Sequence, residues 1–233
     1  MACGGGGGTP HAQPTRPSAR PAAPARTLSQ KELEQTVIGA KEIPGWKTGT
    51  VAGRGGDGYD IPQPVLDMAN LPRIRPAACE PLNRMLSLGS DYQYFALVEQ
   101  TVNAVSPKGR AGAEMALRSY RVADAPKVIA DLRTSLRTCS SFQSLDEGIS
   151  YTRPQPLADP KLGDEALAYS ITQTVAGDDS NSDDSAPITV PFSFVVVRSG
   201  ATVAAFYTMG QPGAARPRPV PMDVVTAQID KLS

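Results

Sequence analysis

The stretch Val190-Pro-Phe-Ser-Phe-Val-Val-Val-Arg-Ser-Gly-Ala-Thr-Val-Ala-Ala-Phe-Tyr-Thr-Met209 decides the fold class. Val190, Phe192, Phe194 and Val196 recur every second residue, the period of a strand with one face turned to a core. Ser199-Gly200 then offers a tight turn into a second β-rich run, residues 202–209. Two neighbouring strands joined by two or so residues must run antiparallel.

Working outward, residues 165–175 read as a further strand, and residues 93–105 and 113–121 as two more. Helices frame them. Ser29 and Glu32 have capping-box spacing, with Leu28 and Leu33 at the staple positions, so a helix starts at Ser29 and runs to about Ile38. A turn at Lys41-Glu-Ile-Pro-Gly-Trp46 leads to a short extended piece near Thr48. A short helix is expected around Cys79 to Leu88. Asp124 is expected to cap a longer one beginning near Pro126, whose apolar stripe is Val128, Ile129, Leu132 and Leu136. A closing helix presents Met222, Val225, Ile229 and Leu232. Residues 53–76, rich in glycine and proline, read as irregular. The pattern predicts an α+β domain over residues 28–233, an antiparallel sheet packed by helices.

Residues 1–27 carry a glycine run, five prolines, three arginines and no acidic residue. Such a segment buries too little apolar surface to offset the entropy of ordering it, and it reads as a disordered tether. Ala2-Cys3-Gly4 at its start matches the end of a bacterial lipobox, which makes Cys3 the expected lipidation site. The other reading is a cytoplasmic protein with a disordered tail. Cys79 and Cys139 form an even pair inside the domain and suit a disulfide, which places the domain in an oxidising compartment. Two unpaired buried thiols are the alternative.

The chemistry that the residues exclude is broader than what they assign. The sole histidine, His11, lies in the tether, so the domain cannot assemble a Ser-His-Asp or Cys-His system, or a histidine-bearing zinc site. Gly53-Arg-Gly-Gly-Asp-Gly58 fits G-x-G-x-x-G, but Pro62 and Pro64 follow where a dinucleotide fold needs a helix. Asp179, Asn181 and Asp183 imitate the opening of a calcium loop, but Asp184 and Val190 stand where glycine and glutamate belong. No metal and no cofactor are expected. Twenty-three basic and 23 acidic residues cancel, so no overall field steers the chain to nucleic acid. Trp46, Tyr92 and Tyr94 are the candidate ligand-binding residues, since flat rings suit a pocket floor. Trp46 has a second reading, as an anchor that fixes a loop to the core.

Leu28-Ser-Gln-Lys-Glu-Leu33 with Val37-Ile-Gly-Ala-Lys-Glu-Ile-Pro-Gly-Trp46 resembles the start of secreted actinobacterial lipoproteins of the Streptomyces type. So do Ala77-Ala-Cys79-Glu-Pro-Leu82, Leu136-Arg-Thr-Cys139-Ser-Ser-Phe142, Leu162-Gly-Asp-Glu-Ala166 and the closing Val220-Pro-Met-Asp to Gln228-Ile-Asp-Lys-Leu232. That group is distantly similar to the extracellular sensor domains of mycobacterial serine/threonine kinases of the PknH type. The resemblance implies a sheet-and-helix domain with a cleft, a stapling disulfide and a ligand of unknown identity. Those ectodomains carry two disulfides where one is possible here, and these 233 residues contain no kinase segment. The expected function is therefore a non-catalytic, sensor-like domain on the extracellular face of the cell membrane, lipid-anchored. It would bind a small molecule, lipid or cell-wall fragment. A protein–protein adaptor in the envelope is the alternative, and an enzyme would need two close carboxylates that nothing here places together.

Overall fold

The computed structural model describes Met1 and residues 25–52, 73–105, 112–145, 148–176 and 186–233, with the side chains of 50–52 left aside. The tether with Cys3 and His11, the glycine loop 53–58 and the acidic loop at Asp179–Asp183 lie outside the described residues.

Among the described residues nine strands form one sheet: β1 (Trp46–Ala52), β2 (Ile74–Arg75), β3 (Tyr94–Ala104), β4 (Ala113–Tyr120), β5 (Ser141–Ser144), β6 (Ile149–Pro156), β7 (Glu165–Val175), β8 (Ile188–Ser199) and β9 (Thr202–Met209). Their order is β1-β3-β4-β9-β8-β7-β6-β5-β2, and each neighbouring pair is antiparallel. Among the described residues the helices are α1 (Gln30–Thr36), α2 (Glu80–Leu86), α3 (Ala125–Thr138) and α4 (Met222–Leu232), and a 3₁₀ turn, Ala77–Cys79, leads into α2. The class is α+β, as the alternation predicts.

The hairpin closes as its sequence requires. Ser199 pairs with Thr202 across a two-residue loop, and Gly200 adopts φ +60°, a conformation that glycine enters without a Cβ penalty. Gly163 is held more tightly: at φ +59°, a Cβ there would meet the Arg198 carbonyl oxygen at 2.4 Å. Phe192, Phe194 and Val196 do share one face, but Val195 and Val197 are buried on the other. The sheet is covered on both faces.

One face carries α2 and α3. Ala125, Val128, Ile129 and Leu132 pack there on Tyr120, Leu167, Tyr169, Phe194 and Val196. Cys79 and Cys139 join the start of α2 to the end of α3, with Cα atoms 5.3 Å apart. The other face carries α1 and α4, which bury Leu33, Val224, Val225 and Ile229 against Met115, Leu117, Val195, Ala204 and Phe206. The result is three layers around two cores.

The predicted α1 cap is present in full: Ser29 Oγ accepts from the Glu32 amide and Glu32 accepts from the Ser29 amide. The Ser29 amide and hydroxyl, both donating to the Glu32 carboxylate, with Arg26 beside them, hold its pKa down to about 2. Three expectations are corrected. Asp124 occupies the N-cap position of α3 but makes no capping bond, because its backbone is helical (φ −100°, ψ −31°) where a cap needs an extended residue. Its carboxylate instead accepts from Lys127 Nζ at 2.8 Å. In α4, Met222 is 41% exposed, and the core row is Val224, Val225, Gln228 and Ile229, with Val220 buried ahead of the helix. Residues 74–75, expected to be irregular, form β2 at the sheet edge.

Candidate functional site

The sheet separates the three aromatic residues singled out in the sequence. Trp46 opens β1 on the α1/α4 face, is 4% exposed, and donates its indole N–H to Asp223 Oδ2 at 3.0 Å. Tyr92 and Tyr94 pack on the α2/α3 face. Strand β1 pairs with β3, but its first residue, Trp46, packs in the opposite core from Tyr92 and Tyr94.

Tyr92 sits in the turn ahead of β3 and donates its hydroxyl to Asp131 Oδ2 of α3 at 2.6 Å. That bond, then burial, then the Asp131, Asp124 and Asp91 charges push its pKa up to about 12. The Lys127 ammonium lies 5.6 Å from its ring centroid. A niche between α2 and α3, floored by Met85, Val128 and Leu132, has Asp91, Tyr92 and Asp131 at its mouth. Its interior is about 10 Å³, room for one water. Small-molecule sites need roughly 300 Å³ or more.

Tyr94 lies under the Arg118 guanidinium, which is 5.4 Å from the ring centroid. Arg118 is nearly fully buried on β4 and bonds Glu99 at 3.2 Å and the Ser87 carbonyl at 3.3 Å. This buried cation was not among the residues expected from the sequence. Its signal was present: one arginine within Met115-Ala-Leu-Arg-Ser-Tyr120, an otherwise core-facing strand.

Beyond Arg118 the same face continues toward the strand ends that carry Ala113, Met209 and Ile188. Helix α3 packs on β6, β7 and β8 near their opposite ends, where Arg133 reaches Glu165 at 2.9 Å. Past the helices, the floor is an aromatic run. Tyr169 stacks on Phe194 at 4.8 Å, Phe194 meets Tyr207 at 5.7 Å, and Phe192 meets Tyr207 at 6.0 Å. Phe192 and Tyr207 are half-buried, while Met209 and Ile188 beside them are 55% and 53% exposed. Tyr207 donates its hydroxyl to Glu114 at 2.5 Å, and burial together with that carboxylate holds the phenol well above its usual range. The sequence marked Phe192 and Phe194 as strand core. It gave no hint of Tyr207, because the Glu114 contact spans 93 residues.

Stacking surface, protonated phenols and carboxylate acceptors suit recognition of a ligand bearing hydrogen-bond donors. Among the described residues no group of three or more His, Cys, Asp or Glu could hold a metal ion, and no helix is long and apolar enough to cross a membrane.

No family model matches the chain and no curated protein matches it. Among solved structures, the extracellular domain of PknH from Mycobacterium tuberculosis is similar, with a TM-score of 0.51 at 8% identity. The match covers 89% of this chain and 98% of that domain. At that identity the likeness is one of fold, and it extends over nearly the whole of the neighbour.

Proposed function

We propose that the domain is the non-catalytic, sensor-like recognition module of a secreted, lipid-anchored envelope protein. It binds a small molecule, lipid or cell-wall fragment on the sheet face beyond α2 and α3. The observation that carries this reading is the half-buried aromatic floor of Phe192 and Tyr207, with Glu114 as acceptor, opening onto exposed Met209 and Ile188. Tyr94 and Arg118 lie outside this floor, further along the same face toward α2 and the turn that carries Tyr92. Trp46 drops out of the ligand set, since it faces the other core and is bound to Asp223.

Extracellular placement is supported by the fold likeness to a kinase ectodomain and by a buried disulfide that suits an oxidising compartment. Lipid attachment at Cys3, and an actinobacterial source, rest on the sequence resemblance alone.

The test is paired native and denaturing mass spectrometry of the chain exported from an actinobacterial host. Extra mass held under native conditions and lost on denaturation supports a bound ligand, and Tyr207→Ala should abolish it without a matching fall in melting temperature. Bare protein in both spectra, with no thermal shift in envelope extracts, sinks the small-ligand reading. The adaptor reading would then lead, because exposed Met209 and Ile188 also suit a protein contact.

A further inference from the structure

We propose that the end of the sheet where the N-terminal segment joins the fold is a docking surface for an anionic phospholipid bilayer, with Phe95, Arg121 and Val122 as its contact residues. The inference rests on the lipid-anchored reading above and adds to it the side of the domain that meets the membrane.

The contacts made by residues 25–28 fix where that segment joins the fold. Ala25 lies against Gly200 at the β8–β9 hairpin, 3.7 Å from where a Cβ on that glycine would stand. Thr27 donates its hydroxyl to the Tyr120 carbonyl at 2.7 Å, and the Leu28 amide donates to Ser119 Oγ at 2.7 Å. The 24 residues before Ala25, Cys3 included, are therefore joined to the fold at the end of the sheet formed by the hairpin and the last residues of β4.

That end is dressed for a lipid interface. The β3–β4 register shifts between Tyr94 and Ala96, and Phe95, at the irregularity, is 50% exposed. Val122, two residues past Tyr120, is 47% exposed. Arg121 precedes Val122 in the chain, and its guanidinium lies 5.8 Å from the Phe95 ring centroid. At this end Glu32, Asp91, Asp124 and Asp164 are paired with Arg26, Arg84, Lys127 and Arg198, whereas Arg121 makes no ion pair among the described residues. An unneutralised cation beside an exposed ring suits a headgroup layer: the ring enters the acyl boundary while the guanidinium stays at phosphate level. Exposed Arg26 adjoins the same end, though Glu32 partners it.

The orientation has a functional consequence. The 12 residues of β8 span about 40 Å. Docked through Phe95 and Val122, the domain holds the Phe192–Tyr207 floor and Met209 at the far end, turned away from the bilayer and toward the envelope.

The experiment uses the full chain with Cys3→Ser, so that no acyl group contributes, and sedimentation with sucrose-loaded vesicles. Vesicles of phosphatidylcholine mixed with phosphatidylglycerol should retain the protein, vesicles of phosphatidylcholine alone should not, and salt should release it. Arg121→Glu should cut partitioning at least about fivefold. Phe95→Trp should report a blue-shifted emission on the mixed vesicles, over the constant signal of buried Trp46. Arg216→Glu, on the exposed segment past β9, should change nothing. Equal partitioning of the parent and Arg121→Glu, or an emission from Phe95→Trp that vesicles leave unmoved, overturns the proposal. The ligand measurement above needs no vesicles, so either reading can fail while the other stands.

Discussion

Gln228 of α4 holds the backbone that follows α1 from 190 residues away: its Oε1 accepts from the Ile38 amide at 3.0 Å, and its Nε2 donates to the Thr36 carbonyl at 2.9 Å. Gln100 reaches the same turn from β3, donating to the Ile38 carbonyl at 3.1 Å. Helix α1 ends at Thr36, so these side chains satisfy backbone groups that its own ladder leaves open. A buried, unsatisfied amide or carbonyl costs roughly 1–3 kcal/mol. Gln228→Leu strands one of each, and the expected loss is about 3 kcal/mol by urea unfolding. A loss below about 1 kcal/mol would mean that water or a rearranged turn replaces both bonds.

Trp46 separates anchoring from recognition. Its indole fills the core under α1 and α4 and its N–H is held by Asp223. Trp46→Phe keeps most of the apolar volume and should cost about 1 kcal/mol, the worth of one hydrogen bond. Trp46→Ala should cost about 3–5 kcal/mol. Both should leave any ligand affinity of the folded protein unchanged, which titration at low temperature can read. A drop in affinity at constant stability would return Trp46 to the binding site.

The capping box at Ser29, the hairpin at Gly200 and the α3 stripe were legible because each is written in residues close together in sequence. Strand β6 was not legible. Ile149-Ser-Tyr-Thr-Arg-Pro-Gln-Pro156 carries two prolines and mixed polarity, and it pairs with β7 only by way of an irregularity between Thr152 and Gln155. Arg153 adopts φ +57° there. Local propensity argues against a strand at such a place, and the neighbouring β7 overrides it. The candidate site was half legible for the same reason. Aromatic residues could be named, but which face each one joins depends on strand register. Trp46 and Tyr94 lie on paired strands yet reach opposite cores.

The disulfide should act as a protected staple. Cys79 and Cys139 are both buried and lie 60 residues apart. A loop of that length contributes about 4 kcal/mol in the chain-entropy model. Replacing both cysteines with alanine should lower stability by about that amount. Native protein should resist a reductant that cleaves the bond promptly once urea is added, as free-thiol counts under the two conditions will show. Prompt reduction of the native state would mean that the α2–α3 layer opens locally.

Tyr92 gives the alkaline limb of stability a measurable component. Its hydroxyl bond to Asp131 and its burial raise the folded pKa from an ordinary value of 10.0 to about 12. A phenol that holds its proton more tightly when folded contributes stability that is fully present below pH 10. Above that, the unfolded chain gains by ionising first, and the contribution fades until the folded phenol titrates near pH 12. Tyr120, Tyr169 and Tyr207 are also raised, so the parent protein should weaken steeply over this window. Tyr92→Phe removes one such group. The parent should therefore be the more stable at pH 8, and its advantage over Tyr92→Phe should shrink steadily between pH 10 and 12 in urea titrations. A difference between the two that stays constant with pH would show that Tyr92 ionises alike in both states, and that the Asp131 bond does not survive in solution.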